Sequence, residues 1–186
     1  MSEKNKKNTI YNMVTCALMA ALLCILCPMT IHIGPIPISL INFLVFLTVI
    51  LLGGKWALVS YAVFFLLGLV GLPVFSGYSG GLAKIAGPTG GYIVGYFLTI
   101  PVTALFMSHS SDKVGIALTA VGMILGMAIA YVFGTVWYSI ITSTGFVASL
   151  AVCVAPFVLI DLAKIAVALV LGMTVRSRLV KAHLLT

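Results

Sequence analysis

Six long apolar stretches dominate this chain of 186 residues. Hydrophobic residues make up 62% of the sequence and charged residues only 7%, a balance typical of membrane proteins and not of soluble globular domains. A helix needs about 20 apolar residues to cross a bilayer, and each stretch approaches that length. The stretches cover residues 10–28, 36–52, 56–72, 90–107, 114–138 and 152–175. The sequence therefore predicts an all-α membrane protein with six transmembrane helices in a single integral membrane domain, residues 1–186.

The distribution of basic residues predicts how the chain lies in the membrane. Cytoplasmic loops carry an excess of Lys and Arg, and placing the N-terminus in the cytoplasm satisfies this rule. It leaves Lys84 outside and Lys164 within the membrane, and it puts the other eight inside: Lys4, Lys6, Lys7, Lys55, Lys113, Arg176, Arg178 and Lys181. Both termini are then cytoplasmic. The net charge of +7 is explained by this asymmetry and by attraction to anionic membrane lipid, so it does not indicate a nucleic-acid partner.

Asp161 and Lys164 are the only charged residues between Val152 and Val175, in the last apolar stretch. A charged residue at bilayer depth costs about 2.5–3.5 kcal/mol even on the gentler insertion scale, so this pair needs a compensating reason. Three residues apart, the two side chains project from the same helix face and partly neutralise each other. The pair predicts a functional site, and the alternative is an ion pair that only packs two helices together.

A glycine-rich segment between the third and fourth stretches is the second signal. Residues 71–91 read GLPVFSGYSGGLAKIAGPTGG, which is too long and too apolar for a simple turn. We expect an ordered outer loop that folds back over the helices, since irregular backbone is tolerated at membrane depth only where protein or a cavity surrounds it. At its end, Thr89, Gly90 and Gly91 begin the fourth helix. Their free backbone N–H groups could face an anionic group, or the segment could be an ordinary Gly-Pro turn.

Small residues four apart predict a close helix contact. Ala17 and Ala21 lie on one face of the first helix and would let a second helix approach. The partner could be another subunit or another helix of the same chain.

Signals for catalysis and for metal binding are weak. Cys24 and Cys27 form a lone C-x-x-C inside an apolar helix, and the three histidines lack the spacing of a zinc site. Gly53, Gly54 and Lys55 do not complete a phosphate-binding loop. No nucleophile has a base at a recognisable spacing. We therefore expect no enzyme activity, no metal, no cofactor and no ATP hydrolysis by this chain.

Three elements together resemble the BioY family, the biotin-binding S components of energy-coupling-factor transporters. They are the run PVFSGYSGGLAKIAGPTGGYIVGY, the pattern Gly134-Thr135-x-Trp137, and Pro156-Phe157 followed by Asp161-x-x-Lys164. The resemblance implies capture of biotin from outside, in the plasma membrane of a prokaryote. It also implies three partner subunits that drive uptake, namely a transmembrane coupling protein and two cytoplasmic ATPases.

The resemblance also implies roles for particular residues. Asp161 and Lys164 fall at substrate-binding positions, and Ala17 and Ala21 match the helix face that docks on the coupling protein. Ser79 stands in the loop where an amide-type partner of the substrate is expected.

The chemistry of biotin suggests how such a site would work. Its ureido ring offers two N–H donors and a carbonyl, and its tail ends in a carboxylate. Asp161 can accept a ureido N–H, while Lys164 can donate to the ureido oxygen or hold Asp161 in place. We expect the start of the fourth helix, Thr89 to Gly91, to bind the carboxylate. Apolar walls are expected from three residues, Phe75, Tyr92 and Trp137.

An acid and a base within the membrane are also typical of another class of transporter. A stand-alone facilitator, or a proton-coupled carrier for biotin or another vitamin, would place such a pair there, although the chain has no inverted repeat.

Overall fold

The computed structural model describes residues 3–32, 36–108 and 112–182. In that part of the chain four helices are long and apolar enough to cross a membrane, and a fifth apolar helix has 16 residues. The protein is therefore an all-α membrane protein, with one short pair of strands. In chain order the elements are α1 (Glu3–Leu26), β1 (Ile31–His32), β2 (Pro37–Ile38), α2 (Ile41–Leu69), α3 (Leu82–Ala86), α4 (Gly90–Leu105), α5 (Lys113–Thr142), α6 (Phe146–Cys153) and α7 (Val158–Lys181). His109 and His183 lie outside the described residues.

Helix α2 is interrupted at Gly53, where the backbone takes φ +74° and ψ 171°. Val45 and Phe64 flank this break and belong to the same buried cluster. A continuous helix would hold them about 28 Å apart, so the chain must reverse direction at Gly53. The break makes α2 a helical hairpin and lies between the predicted stretches 36–52 and 56–72. That each half crosses the membrane stays a prediction.

Prolines set where two of the long helices begin. Pro37 lies in β2, which pairs with β1, and α2 starts only at Ile41. Pro156 lies in a turn after α6, and α7 starts at Val158. Proline lacks a backbone N–H and disfavours a helical conformation in the residue before it, so both helices begin later than the hydrophobic pattern alone predicts.

Arg176 stabilises the break in α2. It is 7% exposed, and its Nη1 donates a hydrogen bond of 2.7 Å to the Ile50 carbonyl oxygen. Carbonyl groups in the last turn of a helix have no intrahelical donor, and cations are favoured at that end. The guanidinium therefore ties α7 to the first half of α2.

The segment between α2 and α4 is ordered by backbone hydrogen bonds. Phe75 N–H donates to the Ser79 carbonyl at 2.9 Å, and Gly77 N–H donates to the Pro28 carbonyl at 3.1 Å. The second bond ties the loop to the chain just beyond the end of α1. Phe75 itself is buried among residues of α2 and α4.

Close packing of α4 against α5 depends on glycine. A Cβ atom on Gly91 would overlap the Trp137 side chain and approach the Phe133 carbonyl oxygen to 2.7 Å. Farther along the contact, Thr99 Oγ1 donates a hydrogen bond of 2.9 Å to the Gly126 carbonyl oxygen. The two backbones can approach this closely because glycine has no side chain there.

We predict that Gly91→Ala destabilises the protein, because overpacking a tight contact costs about 1–3 kcal/mol. The measurement is the melting temperature in detergent, which should fall relative to the parent. Gly145→Ala is the matched control, since Gly145 has φ −57° and no atom within 4 Å of an added Cβ. Equal melting temperatures for the parent and Gly91→Ala would contradict this account of the α4–α5 contact.

Candidate ligand-binding site

One cavity combines apolar walls with many polar side chains. It contains about 660 Å³ of empty space, a volume that includes its open mouth. Residues from α2, α4, α5 and α7 line it, together with the strand β2 and the loop before α3. Its polar residues are Ser39, Asn42, Ser76, Thr89, Tyr92, Tyr96, Tyr131, Asp161 and Lys164.

Asp161 is the centre of the polar lining. Its Oδ1 accepts hydrogen bonds from Asn42 Nδ2 at 2.7 Å and from Lys164 Nζ at 3.0 Å, and its Oδ2 accepts one from the Tyr131 hydroxyl at 2.7 Å. Asp161 is only 6% exposed. A carboxylate offers about four lone-pair positions, so one remains on Oδ2 for a ligand donor.

Asp161 lies in the first turn of α7. From the apolar stretch 152–175 we expected it well inside a helix, but the turn at Pro156 shifts the helix start to Val158. The N-terminal end of a helix favours a negative charge, so this position reduces the cost of burying the carboxylate.

Lys164 holds Asp161 in place. Besides the bond to Asp161, its Nζ donates to the Ser39 carbonyl oxygen at 2.7 Å, which joins α7 to the segment before α2. The pair thus packs two elements together and also lines the cavity. Because the two charges offset each other, the lining favours a ligand with a neutral polar head.

Five of the nine predicted substrate-binding residues line this cavity, and four do not. Those that line it are Phe75, Thr89, Tyr92, Asp161 and Lys164. Those outside the lining are Ser79, Gly90, Gly91 and Trp137.

The residues outside the lining shape the loop and the start of α4. Trp137 Nε1 donates a hydrogen bond of 3.0 Å to the Gly87 carbonyl oxygen, and its side chain packs on Gly91. Ser79 Oγ donates to the Ser76 carbonyl oxygen at 2.8 Å within the loop. Their contacts position Ser76 and Thr89, which do face the cavity.

Three hydroxyl groups of the lining make no hydrogen bond within the described part of the chain: those of Ser76, Thr89 and Tyr96. By contrast, the Tyr92 hydroxyl donates to the Cys153 carbonyl oxygen at 2.7 Å. Buried polar groups are normally paired, so hydroxyls left open on a cavity wall are available to a ligand.

Sequence reasoning missed Asn42, Tyr131 and Tyr96. Asn42 could have been predicted, because an isolated carboxamide in an apolar stretch, like the Asp161 carboxylate, needs a compensating reason. The two tyrosines gave no such signal, since an aromatic ring is compatible with an apolar helix and its hydroxyl needs only one partner.

Ala17 and Ala21 are far from this cavity and lie on the outer face of α1. Both are exposed, whereas Cys16, Ala20 and Leu23 of the same helix are buried against α2. Within the described structure, the small-residue face is therefore not used for packing inside the chain.

A second cavity, of about 470 Å³, lies between α5 and α7. It shares Tyr131, Asp161 and Met127 with the first, and its other lining residues are Ala, Val, Leu and Ile. Tyr131 and Asp161 are its only polar lining residues and belong to both cavities, so the first cavity, with nine polar residues, is the candidate site.

The fold defines a multi-pass membrane protein, and the cavity is an internal candidate site with polar and apolar lining residues. The chain belongs to the BioY family, which it matches over residues 1–181. It is 34% identical to the probable biotin transporter BioY of Pyrococcus horikoshii, over 84% of this chain and 90% of that protein. It is 33% identical to the biotin transporter BioY of Thermotoga maritima, over 80% of this chain and 85% of the relative.

A solved structure also matches the fold. It is described as the S-component for biotin from an ECF-type ABC transporter. The TM-score is 0.85 at 27% sequence identity, and the match covers 95% of each chain.

Proposed function

We propose that this protein binds biotin and takes part in its uptake as the substrate-capture subunit of an energy-coupling-factor transporter. The observation that carries the proposal is the Asp161 carboxylate, fixed by three donors with one acceptor position left open to the cavity. A cyclic urea presents N–H donors on a neutral head, and a fixed carboxylate complements such a head. Membership of the BioY family supports the same assignment.

The ureido ring binds at Asp161 in this proposal. The open lone pair on Oδ2 accepts a ureido N–H, and Lys164 acts mainly by holding Asp161, since two of its three donors are already used. The apolar part of the ligand packs on Phe75 and Tyr92, which line the cavity. Trp137 supports this wall from outside through its bond to the loop.

The biotin carboxylate binds near the start of α4. Thr89 is the residue of the predicted Thr89–Gly91 anchor that lines the cavity, and its hydroxyl is open to a ligand. The Ser76 hydroxyl lines the same cavity and provides a second donor. Gly90 and Gly91 contribute indirectly, because they let α4 begin close to Ile85 and Trp137. The positive end of the α4 dipole adds attraction for the anion.

The chain crosses the plasma membrane of a prokaryote six times in this proposal, with both termini cytoplasmic. The reversal of α2 at Gly53 supports two crossings by that element, and α1, α4, α5 and α7 supply the other four. Lys55 then follows the Gly53 break on the cytoplasmic side, in agreement with the positive-inside rule.

Uptake requires partner subunits that supply the energy. A transmembrane coupling subunit docks on the exposed face of Ala17 and Ala21, and two cytoplasmic ATPase subunits hydrolyse ATP. The match to a structure described as an S-component of an ECF-type transporter supports this assembly. Biotin is the transported ligand, and the chain itself needs no cofactor.

We predict that Asp161→Asn weakens biotin binding at least about tenfold, which corresponds to about 1.4 kcal/mol. The substitution removes a charged acceptor and leaves Lys164 buried without its partner. Titration calorimetry on the purified variant measures the effect, after its melting curve has established that it folds. Equal affinity for a folded variant and the parent would exclude Asp161 from the site.

If Thr89 binds the biotin carboxylate, the loss of affinity on esterifying biotin should depend on the Thr89 side chain. Biotin methyl ester should bind the parent more weakly than biotin, and Thr89→Val should reduce this difference because it removes a donor to the carboxylate. Lys164→Met should weaken acid and ester by similar factors. Strong coupling between the ester and Lys164→Met would instead place the carboxylate on Lys164.

The docking assignment predicts that capture and transport can be separated. The double variant Ala17→Trp with Ala21→Trp should keep biotin binding but lose uptake and co-purification with the coupling subunit, because indole side chains prevent close helix approach. Val132→Trp with Val136→Trp is the matched control on an exposed face of α5. Parental uptake by the Ala17 and Ala21 variant would exclude this docking face, and lost biotin binding would show that the face packs within the chain.

A further inference from the structure

Tyr96 is the most deeply buried of the three cavity-wall residues whose hydroxyls have no partner in the described chain. The residue is 3% exposed and its ring packs on Tyr61, with ring centroids 5.8 Å apart. The neighbouring Tyr61 hydroxyl, in contrast, donates to the Ile93 carbonyl oxygen at 2.7 Å. A buried hydroxyl usually finds a partner, and Tyr96 faces a cavity where only a ligand or water could supply one.

Most donors around Asp161 are already used, and Lys164 keeps one of its three N–H groups. The hydroxyl hydrogen of Tyr131 and one amide hydrogen of Asn42 are used on Asp161. Asn42 Oδ1 accepts from the Phe43 N–H at 3.0 Å. A ligand carbonyl oxygen accepts up to two hydrogen bonds, so a free O–H can serve it beside the remaining Lys164 donor.

Tyr96 lies about two helical turns along α4 from Thr89, the proposed carboxylate anchor. Thr89 and Tyr96 are seven residues apart, which is about 10 Å along a helix axis, and both line the cavity. An extended ligand that reaches Thr89 with its carboxylate would therefore bring its other end to the depth of Tyr96. Asp161 lines the same cavity as Tyr96, on the facing helix α7.

We propose that the Tyr96 hydroxyl donates a hydrogen bond to the ureido carbonyl oxygen of the ligand and so selects for a cyclic urea. This inference rests on the proposed function. It assigns the acceptor side of the ureido head to Tyr96, while Asp161 receives an N–H of the same head. Tyr96 is then a specificity-determining residue, because a head without a strong acceptor leaves its hydroxyl unpaired.

The test is a comparison of two ligands with two proteins. Biotin and 2-thiobiotin differ in the atom that accepts this bond, since sulfur replaces the ureido oxygen and accepts hydrogen bonds poorly. Tyr96→Phe should weaken biotin binding about tenfold but 2-thiobiotin binding less than about threefold, so that the preference for oxygen falls. Tyr138→Phe, which removes a hydroxyl outside the cavity lining, should leave both affinities unchanged.

An independent readout does not depend on affinity. The stretching frequency of a ¹³C-labelled ureido carbonyl, measured by infrared difference spectroscopy, should rise in Tyr96→Phe relative to the parent because a donor is lost. An unchanged frequency, or equal weakening of biotin and 2-thiobiotin, would overturn the assignment of Tyr96. Failure of the parent protein to bind biotin would instead overturn the proposed function itself.

Discussion

The arrangement of helices around the cavity depends on the buried carboxylate of Asp161. An ionised carboxylate away from water is tolerated only when donors and an opposite charge surround it. Here the donors come from three helices, with Asn42 from α2, Tyr131 from α5 and Lys164 from α7. Satisfying this one group therefore fixes three helices relative to each other. In the proposed binding mode the remaining acceptor position on Oδ2 receives the ligand, so the interaction that orders the site would also provide its binding group.

The reversal of α2 brings the two halves of this helix into one buried cluster. If α2 ran straight through Gly53, Tyr61 and Phe64 would lie far from Val45. A break in a helix leaves carbonyl groups unpaired, and Arg176 provides a donor to one of them at the end of the hairpin away from the cavity. In the described part of the chain, α7 thus has a buried charged residue near each end, Asp161 near its start and Arg176 near its end. Each makes hydrogen bonds to other helices that apolar packing alone does not provide.

The sequence predicted those features whose cost in a membrane is large. Asp161 and Lys164 were identifiable because charged residues in an apolar stretch need a reason, and the glycine-rich segment because irregular backbone must be buried in protein. The sequence predicted the orientation of individual side chains and the exact helix ends less well. Whether Trp137 faces the ligand or supports the loop depends on the rotation of α5, which hydrophobic periodicity does not fix when a helix is apolar on every side. The late start of α7 could have been read from Pro156, but the hydrophobic run conceals it.

Helix α1 connects the cavity with the face proposed for docking. Cys27, just after its last residue, lines the cavity, and the adjacent Pro28 carbonyl accepts the Gly77 N–H of the loop. Ala17 lies ten residues earlier, about 15 Å along the helix, on a face that no other part of the described chain covers. A partner helix that tilts or shifts α1 would therefore act on the loop through the backbone hydrogen bond between Gly77 and Pro28. It would also act on the donors around the carboxylate, because Ser39 Oγ donates to the Cys27 carbonyl oxygen at 3.2 Å and the Ser39 carbonyl oxygen accepts from Lys164 Nζ.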